Sequence, residues 1–196
     1  MLYIYERKKE GIIMFDYLLK LDTNILMMIQ DHIRNPILTP IFKLITMLGN
    51  GGLIWILLIA IMLCFKKTRT LGFLSLLTLI LSFIINNVLL KNIVERIRPF
   101  NMIPNLHALI TNPTDFSFPS GHTASSFAVA GTIFLYGNRK YGILALMFAV
   151  AIGFSRLYLG VHYPSDVLFG AVLGFGISYF VSNCFTYLHF NESVKI

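Results

Sequence analysis

His162 and Asp166 stand four residues apart in "VHYPSD", across the start of an apolar run that begins at Pro164. A carboxylate in the first turn of a helix is favourably placed. From there Asp166 can accept a hydrogen bond from one imidazole nitrogen of His162. That fixes the tautomer and leaves the other nitrogen as a nucleophile. A second histidine, His122, sits in "FSFPSGHTASSF", again at the head of an apolar run. Facing a leaving oxygen, it would donate a proton. Two histidines held in opposite protonation states are what an acid–nucleophile pair requires.

Cations surround these histidines in the sequence. Lys91, Arg98 and Arg156 all border apolar runs, and the carboxylates of the same region are Glu95, Asp115 and Asp166. Cations near hydrocarbon are rarely left unpaired, so a missing anion is implied. Arginine forks suit phosphate oxygens and lysine adds a point charge. Pro119 and Pro164 are placed as first-turn prolines. A helix beginning at Ser120 would point the N–H groups of Ser120, Gly121 and His122 at an anion, and Gly121 removes the side chain that would keep a phosphate away. The cations and helix ends already neutralise a phosphate. The motif's carboxylate is committed to His162, so no metal and no other cofactor is expected.

The elements that must position these groups are membrane helices. Of the 196 residues 56% are hydrophobic and only 13% are charged, against about 25% charged in ordinary soluble domains. The mean hydropathy is +0.73. The apolar residues gather into long runs rather than alternating, which selects helices over a barrel. Five runs read as spans: about 51–66, 70–90, 120–136, 141–159 and 164–187. Residues 14–34 repeat apolar positions every three or four, with Lys20, Asp22, Asp31 and Arg34 between them, and read as an amphipathic interfacial helix. Residues 36–48 read as a second interfacial segment, with a tilted sixth span as the alternative. The expected fold is therefore all-α: a polytopic membrane helix bundle of five or six transmembrane helices plus an N-terminal amphipathic segment. It divides into an interfacial segment at 1–50, a transmembrane domain at 51–187 and a tail at 188–196. Folding the spans back and forth brings Lys91, Arg96, Arg98, Ser120, His122, Ser155, Arg156, His162 and Asp166 to one membrane face. Gly170 and Gly174 form a GxxxG pair suited to close helix packing.

Three motifs now stand in order. "KNIVERIRP" (91–99) fits K-x6-R-P, "PSGH" (119–122) fits P-S-G-H, and "SRLYLGVHYPSD" (155–166) fits S-R-x5-H-x3-D. Together they resemble the type 2 phosphatidic acid phosphatase family of membrane lipid phosphatases. The resemblance implies that Lys91, Arg98 and Arg156 bind phosphoryl oxygens, with Ser120 and Gly121 completing the cradle. It implies that His162 attacks phosphorus to give a phosphohistidine, oriented by Asp166, and that His122 serves as acid and then activates water. Ser155 belongs to the motif without an assigned role. The same motifs resemble those of vanadium haloperoxidases, which are soluble, so the membrane spans argue against that family. Small members of this size resemble bacterial undecaprenyl diphosphate phosphatases, with phosphatidic acid and phosphatidylglycerol phosphate as rival substrates. The substrate is thus a membrane phospholipid or polyprenyl phosphate drawn from the bilayer. The other classes are a lipid phosphotransferase and a non-enzymatic anionic-lipid-binding or transport protein.

Taken singly, the same residues have plainer readings. Lys91, Arg96 and Arg98 would be basic membrane anchors, His122 and His162 polar residues satisfied inside a bundle, and Pro119 and Pro164 ordinary helix starters. Their joint placement favours chemistry. Other residues stay plain: His32 and His189 are interfacial, Trp55 is an interface anchor, Arg96 meets lipid headgroups, and Cys64 and Cys184 are small buried residues. His107 is a loop residue. The net charge of +7 belongs to juxtamembrane clusters such as "FKKTR" (65–69) and "NRK" (138–140), not to a nucleic-acid surface. With Lys195, those clusters place the turns opposite the site in the cytoplasm and the site on the extracytoplasmic face of the plasma membrane. Residues 6–10, "ERKKE", are followed by only a short apolar stretch and read as no cleavable signal peptide, with Met14 as an alternative start.

Overall fold

The computed structural model describes residues 16–194, with side chains to residue 188. The expectations for residues 6–10, Met14, the His189 side chain and Lys195 lie outside the described residues. Every regular element described is helical. Helix α1 covers residues 16–33 and ends in a π-helical stretch, Ile29–Ile33. Helix α2 is Leu38–Gly49 and α3 is Leu53–Cys64. Helix α4 covers residues 69–94, π-helical over Ile84–Leu90. A short α5, Pro99–Met102, precedes an extended loop. Helices α6 (Gly121–Tyr136), α7 (Arg139–Tyr158) and α8 (Pro164–Val194) complete the chain.

Four stretches among the described residues are long and apolar enough to cross a membrane: Leu38–Cys64, Arg69–Met102, Arg139–Tyr158 and Pro164–Leu188. The span expected at 51–66 is thus the second half of a longer apolar stretch. Its halves meet at Asn50–Gly52, where Gly51 (φ 58°) and Gly52 (φ 72°) take left-handed conformations that residues with a Cβ rarely adopt.

Helix α6 is the axis of the bundle. At 16 residues it is about 24 Å long, shorter than the other candidate spans. It packs against α4, α7 and α8. Its sequence explains this position: Ala124, Ala128, Val129 and Ala130 are completely buried, and small side chains let three neighbours approach at once. On the α8 side a Cβ added at Gly170 would fall 2.8 Å from the Ser120 carbonyl oxygen, and one at Gly174 would strike the Ala124 carbonyl. On the α4 side Thr78 and Thr132 share a buried hydroxyl hydrogen bond of 3.0 Å.

Two expectations fail for one reason. Cys64 and Cys184 are exposed rather than buried, because the outer surfaces of α3 and α8 are themselves apolar, with Ile61, Phe65 and Phe180 also exposed. In a membrane protein an apolar run is not the same as an interior. Conversely Trp55 is not an anchor at the surface. It is 2% exposed and its indole N–H donates to Ser126 Oγ of α6 at 2.8 Å.

Candidate functional site

A cavity of about 1670 Å³ opens where the ends of α4, α6 and α7 meet the α7–α8 connection. Lys91, Arg98, Gly121, His122, Arg156 and His162 all line it. The same cavity continues over apolar side chains of α3 and α4, including Ile56, Leu76, Leu79 and Phe83. Its polar end therefore joins an apolar flank.

The tautomer of His162 follows from its neighbours. Its Nε2 is 3.2 Å from Arg98 Nη1, and its Nδ1 is 3.4 Å from Asp166 Oδ2. A guanidinium only donates, so Nε2 is the unprotonated nitrogen and Nδ1 carries hydrogen toward Asp166. The Nε2 lone pair faces Arg98. Burial pushes the His162 imidazole down to about 4; the Asp166 hydrogen bond opposes this and Arg98 and Arg156 reinforce it. The ring is neutral at pH 7.

Asp166 is fully buried behind His162. Its Oδ2 accepts from the Ser117 hydroxyl and from the Tyr163 N–H at 2.9 Å. Its Oδ1 accepts from Arg96 Nη1 at 2.6 Å. Arg96, expected at lipid headgroups, is instead held between carboxylates: Nη2 donates to Asp22 at 2.7 Å. Asp22 is 3% exposed, although the periodicity of α1 places it among the solvent-facing polar positions.

The cations are partly engaged. Lys91 pairs with Asp115, whose other oxygen accepts from Arg98 Nη2 at 2.6 Å. Burial would raise the Asp115 carboxyl, but Lys91 and Arg98 hold it down to about 2. Glu95, the other nearby carboxylate, is in the left-handed region at φ 49° and closes the end of α4. Arg156 is 3% exposed. Its Nη1 donates to Thr46 Oγ1 of α2, while its buried Nε has no hydrogen-bond partner among the described residues. A buried guanidinium N–H without an acceptor is costly, and this one belongs to a residue that lines the cavity.

Two residues named from the sequence, Ser120 and Ser155, do not line the cavity. The Ser120 N–H is spent on the Asp166 carbonyl (3.1 Å) and its hydroxyl accepts from Thr123, so of the expected N–H groups only those of Gly121 and His122 remain at the helix start. Ser120 stands behind the cavity lining, as does Ser155, whose hydroxyl donates to the Ile152 carbonyl of its own helix at 2.6 Å. Gly121 has a second reason to be glycine: a Cβ there would fall 2.8 Å from Asn87 Oδ1. His107 uses backbone groups to bind Gln30 and Arg34.

Asn50 was not among the expected residues. Its side-chain oxygen lies 2.8 Å from His122 Nε2. The signal in the sequence was "GNGG" (49–52), a lone polar residue among glycines between two apolar stretches.

A membrane-type helical bundle with two histidines and a cluster of arginines and a lysine on one cavity defines the class. Residues 71–190 match the PAP2 superfamily, and the chain belongs to that superfamily. An undecaprenyl-diphosphatase of Sulfolobus acidocaldarius is 40% identical over 129 residues, 64% of this chain and 61% of its own length; the chain thus spans less than two thirds of that relative. Phosphatidylglycerophosphatase B of Bacillus subtilis is 35% identical over 83% of this chain and 80% of its own. The crystal structure of a transmembrane PAP2-type phosphatidylglycerolphosphate phosphatase from Bacillus subtilis has a TM-score of 0.73 at 30% identity, covering 95% of this chain and 94% of that one.

Proposed function

We propose that the protein is a membrane lipid phosphatase acting through a phosphohistidine, with a polyprenyl diphosphate, undecaprenyl diphosphate, as the favoured substrate and undecaprenyl phosphate as product. The observation that carries this reading is the His162 Nε2 lone pair facing Arg98, on a cavity that also holds His122, Lys91 and Arg156. Nε2 attacks phosphorus, a P–N bond forms and the bond to the leaving oxygen breaks. His122 gives that oxygen its proton. Water then attacks the phosphohistidine, His122 takes the water's proton, and phosphate leaves with His162 restored. Lys91, Arg98 and Arg156 hold the phosphoryl oxygens, with the Gly121 and His122 N–H groups beside them. Ser120 supports the helix start rather than touching phosphate. The apolar flank on α3 and α4 takes the lipid tail, and α6 is read as a crossing beside the four longer candidates. The exposed basic turns at Lys66, Lys67 and Arg69 and at Arg139 and Lys140 favour a site on the extracytoplasmic face.

A second substrate, phosphatidylglycerol phosphate, is favoured by the larger share of the chain aligned with the Bacillus phosphatidylglycerophosphatase. The test is phosphate release by purified protein in detergent with excess EDTA, on undecaprenyl diphosphate, phosphatidic acid and phosphatidylglycerol phosphate. Release from one lipid, abolished by His162→Ala, supports the reading and names the substrate. Lipid binding without release from any of them overturns it.

A further inference from the structure

Asp22 and Asp166 are both buried, 144 positions apart, and one guanidinium lies between them. Two carboxylates removed from water repel unless a cation is shared. Arg96 supplies it, with Nη2 on Asp22 at 2.7 Å and Nη1 on Asp166 at 2.6 Å. Nη1 also donates to Ser165 Oγ at 2.7 Å. The guanidinium stacks on the Tyr163 ring, 3.8 Å from its centroid, a cation–π contact that fixes its plane. Asp22 ties down the same turn, accepting from the Ser165 N–H at 2.9 Å and from the Ser165 hydroxyl.

Arg96 reaches Asp166 by a second route. Its carbonyl accepts from the Ser117 N–H at 2.8 Å, and the Ser117 hydroxyl donates to Asp166 Oδ2. Both oxygens of Asp166 are thereby oriented, and Oδ2 is left facing His162 Nδ1. Geometry of this kind makes a hydrogen bond directional rather than merely near.

We propose that Arg96, seated by Asp22 of α1, is a positioning residue that fixes the Asp166 carboxylate behind the nucleophilic His162. This rests on the phosphohistidine reading of the site. It gives α1 a part in the reaction although α1 has no residue on the cavity.

The charges decide the expected behaviour. His162 is faced by Asp166 from α8, by Arg98 before α5, by Arg156 of α7 and by His122 of α6. Asp166 is faced by Arg96, by the Ser117 hydroxyl and by the Tyr163 N–H, with Asp22 beyond Arg96. Removing the Arg96 cation leaves the Asp166 charge less offset, so protonated His162 is favoured and the acid limb of kcat/KM moves to higher pH. Arg96→Lys keeps the charge and loses the fork.

The experiment measures kcat, KM and the pH dependence of kcat/KM for full-length protein in detergent, with thermal melting as the folding control. The variants are Arg96→Gln, Arg96→Lys, Asp22→Asn and Asp22→Asn/Arg96→Gln, with His162→Ala alongside. We expect Arg96→Gln to lower kcat about 30-fold with KM within about twofold, and to raise the acid limb by about half a pH unit or more. Arg96→Lys restores the acid limb and part of kcat. Asp22→Asn lowers kcat about fivefold, and the double variant is no worse than Arg96→Gln, because both act on one path. Folded variants with wild-type kcat and an unmoved acid limb overturn the proposal. Should Arg96→Gln fail to fold, Arg96→Lys and Asp22→Asn decide alone, and wild-type kcat in both overturns it. Absence of turnover in the wild type, or full activity in His162→Ala, instead overturns the phosphatase reading and the proposal with it.

Discussion

His122 donates from Nε2 to the side-chain oxygen of Asn50, 2.8 Å away and 72 positions earlier in the chain. An amide oxygen only accepts, so Nε2 carries a hydrogen held by Asn50. The same oxygen would steady the ring when both nitrogens are protonated, and the proton for the leaving oxygen then comes from Nδ1. Gly49 makes the contact possible: a Cβ there would fall 3.0 Å from His122 Cδ2 and 3.1 Å from Ile152 Cγ2. The left-handed Gly51 and Gly52 then turn the chain away.

Asn50→Ala should therefore slow the step that needs His122 as an acid without weakening substrate capture. We expect kcat to fall about 10- to 100-fold with KM within about twofold, the size of effect that general acids and their orientation carry. Steady-state kinetics on whichever lipid the protein hydrolyses checks this. A rise in KM at unchanged kcat would mean Asn50 binds headgroup instead.

Asp115 is 54% exposed at its side chain yet pairs with Lys91 and Arg98, two of the three cations proposed to hold phosphate. A phosphate reaching Lys91 and Arg98 must displace it. Asp115→Asn keeps the shape and removes the competing charge, so inorganic phosphate should inhibit the variant about three- to tenfold more tightly. Because Lys91 and Arg98 hold the carboxyl down to about 2, Asp115 stays charged above that value. The ratio of inhibition constants should therefore stay flat from about pH 8 down to about pH 4. Equal constants at every pH would remove Asp115 from this role.

The titration of His162, the proposed nucleophile, gives a third prediction. Attack needs neutral His162, and burial, with Arg98 and Arg156, pushes the imidazole down to about 4 against the pull of Asp166. Activity is present above that value and is lost as pH falls through it. The acid limb of kcat/KM, which reports the free enzyme, should bend near pH 4 rather than near the ordinary histidine value of about 6.5. A limb at the ordinary value would place His162 in a wetter setting than the one described.

What could be read from the sequence was set by local spacing. Lys91 with Arg98 and His162 with Asp166 are close in the chain, and alternating the spans was enough to bring them to His122 and Arg156. Asn50, Thr46 and Asp22 reach the site only through tertiary packing of α1 and α2. For Thr46 and Asp22, neighbours in sequence gave no sign that they were buried. Asp22 occupies a polar position of an amphipathic repeat, and only the fold shows that this side faces Arg96. Trp55 and the two cysteines were misplaced because hydropathy does not distinguish lipid from protein interior. Helix α6 was visible as a run, but its place at the centre of the bundle follows from its alanines and glycines, whose smallness matters only once neighbours are known.

Trp55 also supplies a stability test, because a short chain of hydrogen bonds runs from it to His122. The indole N–H donates to Ser126 Oγ at 2.8 Å, and that hydroxyl donates to the His122 carbonyl at 2.6 Å. Trp55→Phe keeps most of the ring volume, leaves Ser126 its acceptor and removes one buried hydrogen bond, a loss of about 1 kcal/mol plus a small packing cost. Ser126→Ala does more harm with fewer atoms removed. It leaves the indole N–H of the buried Trp55 without its Ser126 acceptor, which costs about 1–3 kcal/mol. Thermal melting in detergent should therefore rank Ser126→Ala below Trp55→Phe. The double variant Trp55→Phe/Ser126→Ala should melt above the sum of the two losses, since the orphaned donor is gone. Simple additivity of the two would mean that the indole and the hydroxyl are not coupled, and that Trp55 is held by packing alone.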